Sequence, residues 1–135
     1  MSIQEELNKL REIFLLFEDH KDKFVQLMDM AKESAELNET EKIDINKING
    51  CTSQAWVVAD PNGDDTYTFR TDSNALIVKG LLTILERIFT GQAVDEILAM
   101  NSEDILSAAG LDKTITSQRT NGFSSAVEKI HNIIR

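Results

Sequence analysis

Residues 55–71 read Ala55-Trp56-Val57-Val58-Ala59-Asp60-Pro61-Asn62-Gly63-Asp64-Asp65-Thr66-Tyr67-Thr68-Phe69-Arg70-Thr71. Two arms, 55–60 and 66–71, flank the turn-forming cluster Pro61-Asn62-Gly63-Asp64. In the second arm Tyr67 and Phe69 alternate with Thr66, Thr68 and Arg70, so one face is apolar and the other wet. This pattern predicts an antiparallel hairpin, with the chain's single proline in the turn, where its fixed φ helps. Upstream, Ile43, Ile45 and Ile48 predict a short third strand. Two or three strands among segments of helical periodicity predict an α+β fold: an N-terminal helix pair, a small antiparallel sheet, then central and C-terminal helices packed on it.

Immediately before the hairpin lies Lys47-Ile48-Asn49-Gly50-Cys51-Thr52-Ser53-Gln54-Ala55-Trp56, which holds the only cysteine and the only tryptophan of the 135 residues. Asn49-Gly50 is a turn pair, because glycine tolerates positive φ and asparagine visits that region more readily than most residues. The thiol is thereby expected on a loop at the rim of the sheet, where a rigid element positions it. Two readings of Cys51 stand side by side. Free cysteine is among the most buried residue types and serves as a small core hydrophobe. A nucleophilic thiolate instead requires access and a nearby positive charge or base, and Lys47 is the nearest cation in sequence.

Outward from this centre the chain is helical. Ile3, Leu7, Leu10, Phe14 and Phe17 form one apolar stripe over 2–18, broadened by Leu15-Leu16, and Ser2 with Glu5 matches a capping box. A second helix is expected over about 22–37, with Phe24, Leu27, Met28, Ala31 and Ala35 inward and His20 solvated in the connection. The short connection predicts an antiparallel helix hairpin. After the strands, Thr71-Asp72-Ser73-Asn74 offers N-caps for a helix over about 75–90, apolar on most of its circumference and stopped by Gly91. Two short helices follow, 94–100 and 103–109, with Ser102 capping the second and Gly110 ending it. A last helix over about 117–134, capped by Thr116 or Ser117, places Phe123, Val127, Ile130 and Ile134 on one face. Gly122 inside it weakens it by about 1 kcal/mol relative to alanine unless close packing requires the glycine. His131 near its end has an ordinary explanation in the helix dipole.

The whole chain sets limits. Its length suits one domain, 1–135, and 41% hydrophobic residues suffice for a core. A net charge of −9 argues against nucleic-acid binding, which requires clustered Lys and Arg. One cysteine excludes an internal disulfide and a multi-thiolate zinc site. Lys79, Glu86 and Arg87 interrupt the longest apolar stretches, and the N-terminus lacks a secretory pattern, so no membrane partner and a reduced cytoplasmic setting are expected. There is no phosphate-binding glycine loop, H-E-x-x-H or C-x-x-C, and the acidic pairs Glu5-Glu6 and Asp64-Asp65 read as solvated charge. A Cys–His pair would need His20 or His131 folded against Cys51.

The segment Gly50-Cys51-Thr52-Ser53-Gln54-Ala55-Trp56 resembles the G-C-x-S-Q-V-W signature of the SufE family of sulfur acceptors, with Ala55 in place of valine. Asp72-Ser73, Ala75 and Ile77-Val78-Lys79-Gly80-Leu81 are similar to that family's D-S-x-A-x-I-V-K-G-L segment, although many members carry an acid where Asn74 stands. The segment 115–122 resembles its L-T-x-x-R-x-x-G segment, with Arg119 on the family arginine. The resemblance implies that Cys51 accepts sulfane sulfur from a pyridoxal-phosphate-dependent cysteine desulfurase and passes it toward an iron–sulfur scaffold. Cofactors: none in this chain, the pyridoxal phosphate belonging to the partner. Arg119 would favour an anionic sulfur or hold the loop, and Gly50, Ser53, Gln54 and Trp56 would support the loop or contact the partner. On their own chemistry, Arg119 reads equally as a surface helix residue, Ser53 and Gln54 as turn hydrogen-bonders, and Trp56 as a core anchor. Two rivals remain: an acidic adaptor with an incidental thiol, and a stand-alone thiol enzyme.

Overall fold

The computed structural model describes residues 2–51 and 53–135. The hairpin is formed by β1 (Ala55–Pro61) and β2 (Tyr67–Ser73), antiparallel, in a register running from Ala55 opposite Ser73 to Pro61 opposite Tyr67. Both arms run slightly past the predicted ends. The turn closes through Asn62 N donating to Thr66 O at 3.0 Å, with Gly63 at φ +86°.

The inner face of the sheet, with Val57 and Phe69 fully buried, lies on α3 (Leu76–Phe89), where the Phe69 and Phe89 rings meet edge-on at 6.3 Å. α3 is the buried centre, as its composition predicts, and Gly91 follows it at φ +77°. Lys79, which interrupts the apolar run in sequence, is turned inward. Its ammonium donates to Ala35 O at 3.0 Å and to Thr71 O, and stands 3.4 Å from Glu86 Oε2. The segment 71–74 does not cap α3 with a side chain, and Ala75 occupies the N-cap. Those polar groups are engaged elsewhere: Asp72 accepts from Leu37 N, and Ser73 Oγ donates to Gln54 O.

α1 (Ile3–Leu15) buries Ile3, Leu7, Leu10 and Phe14, and Ser2 Oγ accepts from Glu5 N at 3.1 Å, a cap worth about 1 kcal/mol. The helix ends earlier than expected, and Leu15 and Leu16 point outward, 54% and 79% exposed, so they do not broaden the stripe. α2 (His20–Glu33) starts earlier, because Asp19 accepts from Lys21 N and caps it. Its inner face is Leu27, Met30 and Ala31, with Met28 only half-buried and Ala35 exposed beyond the helix end. Both helices of the pair lean on α3, α2 more extensively than α1. His20 is not merely solvated, since its Nδ1 lies 2.8 Å from Thr114 Oγ1.

The expected third strand is absent among the described residues. Two short 3₁₀ turns, Glu39–Glu41 and Asp44–Asn46, occupy that stretch, Ile43 and Ile45 are exposed, and a single bridge joins Lys47 to Trp56. The reason is that these residues find other partners: Asn46 Nδ2 donates to Glu41 O, and Arg70 of β2, itself paired with Asp60 across the hairpin, donates to the Glu41 carboxylate. These contacts strap the segment across the outer face of the hairpin. Arg70 holds the Glu41 carboxyl below its ordinary value of 4.5, with a further contribution from Asn38 N.

α4 (Val94–Leu98) is shorter than predicted, and α5 (Ser102–Ala108) has the predicted length but begins one residue earlier. Asn101, not Ser102, caps α5, its side chain accepting from Asp104 N at 2.9 Å. α6 (Ser117–Ile134) has the predicted bounds, the Thr116 cap and the predicted buried face. His131 does more than complement a dipole, because its Nε2 lies 2.9 Å from Ile97 O and ties α6 to α4.

Candidate functional site

Cys51 lies in the loop 49–54 between Ile48 and β1, and both ends of that loop are pinned. Ile48 N donates to Ala55 O at 2.8 Å. At the other end Gln54 N donates to Asn74 Oδ1 at 3.1 Å, Asn74 N returns a bond to Gln54 O, and Ser73 Oγ donates to the same oxygen at 2.7 Å. The strand ends therefore fix the loop, as the turn chemistry predicts. Gly50 sits at φ +85°, a conformation that disfavours any side chain. Thr52, part of the signature, lies outside the described residues.

The Cys51 thiol is free, half-buried, and packed against the core. It borders a cavity of about 110 Å³ whose walls are Ile48 and Ala55 from the loop side, Val78, Leu81 and Leu82 from α3, and Phe123 and Gly122 from α6. Ser53, Gln118 and Arg119 supply the polar part of the lining. The Arg119 guanidinium carbon stands 5.9 Å from the Phe24 ring centroid, so its charge is held over an aromatic face between α2 and α6. The residues that line the cavity come from segments 45–59, 73–85 and 113–127, none of which contains an Asp or Glu, although the chain has 23. The site is thus built from the non-acidic parts of an acidic protein, a setting compatible with an anionic sulfur.

The sequence-predicted residues divide. Cys51, Ser53 and Arg119 share the cavity. Gly50 shapes the loop beside it, and Gln54 pins the loop through its backbone while its side chain is exposed. Trp56 lies on the opposite face of the sheet, level with Asp72, with Lys42 Nζ 5.7 Å from its ring centroid. Neither His20 nor His131 lines the cavity, and each is hydrogen-bonded elsewhere, so no Cys–His pair is assembled. Among the described residues no group of three or more His, Cys, Asp or Glu could hold a metal ion, and no helix is long and apolar enough to cross a membrane.

The residues that sequence reasoning did not connect with the thiol are Val78, Leu81, Leu82, Gln118 and Phe123, whose periodicity indicates burial but not what they enclose. Gly122 did carry a signal, since a glycine inside a helix asks for a packing reason. That reason is the thiol: a Cβ on Gly122 would lie 3.2 Å from Cys51 Sγ.

The fold and the sequence both have known counterparts. The solution structure of a hypothetical protein from Thermus thermophilus shares the fold, with a TM-score of 0.75 over 96% of this chain and 93% of its own at 18% identity. An uncharacterised SufE-like protein of Rhizobium etli is 34% identical over 127 residues, 92% of this chain and 86% of that protein. SufE-like protein 1, chloroplastic/mitochondrial, of Arabidopsis thaliana is 34% identical over 124 residues, which are 90% of this chain and 33% of the plant protein. The SufE family, described as the Fe-S metabolism associated domain, matches residues 8–134. With that match the chain belongs to the SufE family and its function to Fe–S metabolism.

Proposed function

We infer that the protein is a sulfur acceptor in which Cys51 takes sulfane sulfur from the persulfide of a pyridoxal-phosphate-dependent cysteine desulfurase, stimulates that enzyme by clearing its sulfur, and delivers the sulfur toward an iron–sulfur scaffold. The observation that carries this reading is the half-buried thiol beside a mainly apolar cavity that Arg119 also lines. The Cys51 thiolate attacks the outer sulfur of the donor persulfide. A new S–S bond forms on Cys51 as the donor's S–S bond breaks, and the donor cysteine leaves as thiolate. No electrons are gained or lost overall, so the protein needs no redox cofactor of its own for this step. The pyridoxal phosphate works in the partner.

A persulfide is consumed by reductants, oxidants and stray thiols when it stands in water. The apolar walls around Cys51 favour a small sulfur over a hydrated adduct, and Arg119, which shares the lining, would offer charge to a persulfide anion. The reading also places the protein in the reducing cytoplasm, where a lone thiol stays free.

Intact mass after incubation with a desulfurase and free cysteine, without reductant, tests the proposal. A gain of one sulfur on wild type, removed by reductant and absent from Cys51→Ser, is the expected result. No gain from folded protein with several desulfurases would favour an adaptor whose thiol is incidental.

A further inference from the structure

We propose that Gly122 is the positioning residue of the acceptor thiol: the side chain it lacks is the space in which Cys51 Sγ rests against α6. The proposal builds on the sulfur-acceptor reading but is carried by a separate observation. Gly122 is buried inside a long helix, where glycine is unfavourable, and no positive φ explains it. The three atoms that a Cβ there would meet first all belong to Cys51: Sγ at 3.2 Å, Cβ at 3.6 Å and Cα at 3.8 Å. The last two distances are ordinary contacts, so Sγ is the crowded atom.

One turn along, the same helix meets the loop a second time. A Cβ on Gly50 would fall 2.6 Å from Ser125 Oγ. Gly122 and Ser125 are three residues apart and so share a face of α6, on which Gly50 and Cys51 are seated side by side. Two missing side chains, one on the helix and one on the loop, thus set the depth at which the sulfur is held. A methyl group at position 122 would push Sγ outward from this seat by a few tenths of an ångström, and a larger side chain would displace it further toward solvent.

Gly122→Ala is a demanding test because the substitution is otherwise favourable to a helix. In the full-length protein we expect iodoacetamide to alkylate Cys51 at least about fivefold faster in Gly122→Ala than in wild type, with unchanged far-UV circular dichroism. We also expect a thermodynamic coupling. In a Cys51→Ala background, where Sγ is gone, Gly122→Ala should raise Tm by about 3 °C, and in the Cys51 background it should give no gain or a loss. Should Gly122→Ala alone fail to fold, recovery in the Cys51→Ala/Gly122→Ala variant supports the seat, and failure of both overturns it. An alkylation rate within twofold of wild type, with the same Tm gain in both backgrounds, overturns it as well. Neither readout involves a desulfurase. If wild type acquires no sulfur and the coupling is present, the acceptor reading falls and the seat stands; sulfur uptake without coupling gives the reverse.

Discussion

Gly80 of α3 and Leu27 of α2 approach so closely that a Cβ on Gly80 would lie 2.3 Å from the Leu27 carbonyl oxygen and 2.8 Å from its carbon. The obstacle is backbone, which cannot swing aside as a side-chain tip can. This contact sets the distance between the two helices and, through α3, the position of the wall that faces Cys51. Gly80→Ala should therefore lose about 1–3 kcal/mol in urea unfolding despite the better helix propensity of alanine. A neutral or stabilising result would show that α2 slides away at little cost.

Arg119 shares the cavity with Cys51 and is held over Phe24. On the proposed function, Arg119→Ala should slow single-turnover sulfur uptake about tenfold while changing stability by no more than about 1 kcal/mol. Arg119→Lys should retain part of the rate, because it keeps the charge and loses the planar fork. An unchanged rate in the alanine variant would leave Arg119 as a packing residue.

The strap across the outer face of the hairpin is sensitive to acid. Its Glu41 carboxyl is held below 4.5 chiefly by hydrogen bonds from Arg70. A folded value below the unfolded one means that the ion pair's contribution is present above the unfolded value and lost as pH falls through the folded one. Glu41→Gln should thus melt below wild type at pH 7, and the two curves should draw together as pH falls from 4.5 through the lowered folded value. A gap that is constant across this range would attribute the loss to packing alone.

Lys79 connects the end of α2, strand β2 and α3 through Ala35 O, Thr71 O and Glu86. Lys79→Met should cost about 3 kcal/mol, because two carbonyls lose a donor and the partly buried Glu86 carboxylate, left with Thr71 Oγ1, loses its counter-charge. Adding Glu86→Leu should recover part of the loss, measurable as a positive coupling in a double-mutant cycle.

The helices and hairpin were legible because each rests on a local rule. Phe123, Val127, Ile130 and Ile134 recur at helical spacing, and the Thr116 cap and Gly110 stop follow from one residue's chemistry. The departures arise where a distant partner decides. Residues 43–48 have the composition of a strand, but the Arg70 carboxylate pairs and the Asn46 bond to Glu41 O keep them in tight turns. Likewise Asp72, Ser73 and Asn74 read as helix caps, yet long-range bonds to Leu37 and Gln54 claim them. At the candidate site the sequence motif located Cys51, Ser53 and Arg119, whereas Trp56, in the same motif, faces the other side because strand residues alternate. Leu15 and Leu16 show the opposite limit: hydrophobic character alone does not say which side of a helix the core will take.

The pinning of the loop at Ile48–Ala55 also fixes how far the sulfur can travel. Cys51 is three residues from the nearer pin, and a chain extends by at most about 3.5 Å per residue, so its Cα can stray no more than about 10 Å from that anchor while the pin holds. The protein is therefore a short crane and not a long swinging arm. On the proposed function, a donor whose sulfur lies deeper than that below its own surface must bring it outward, and a recipient must come equally close.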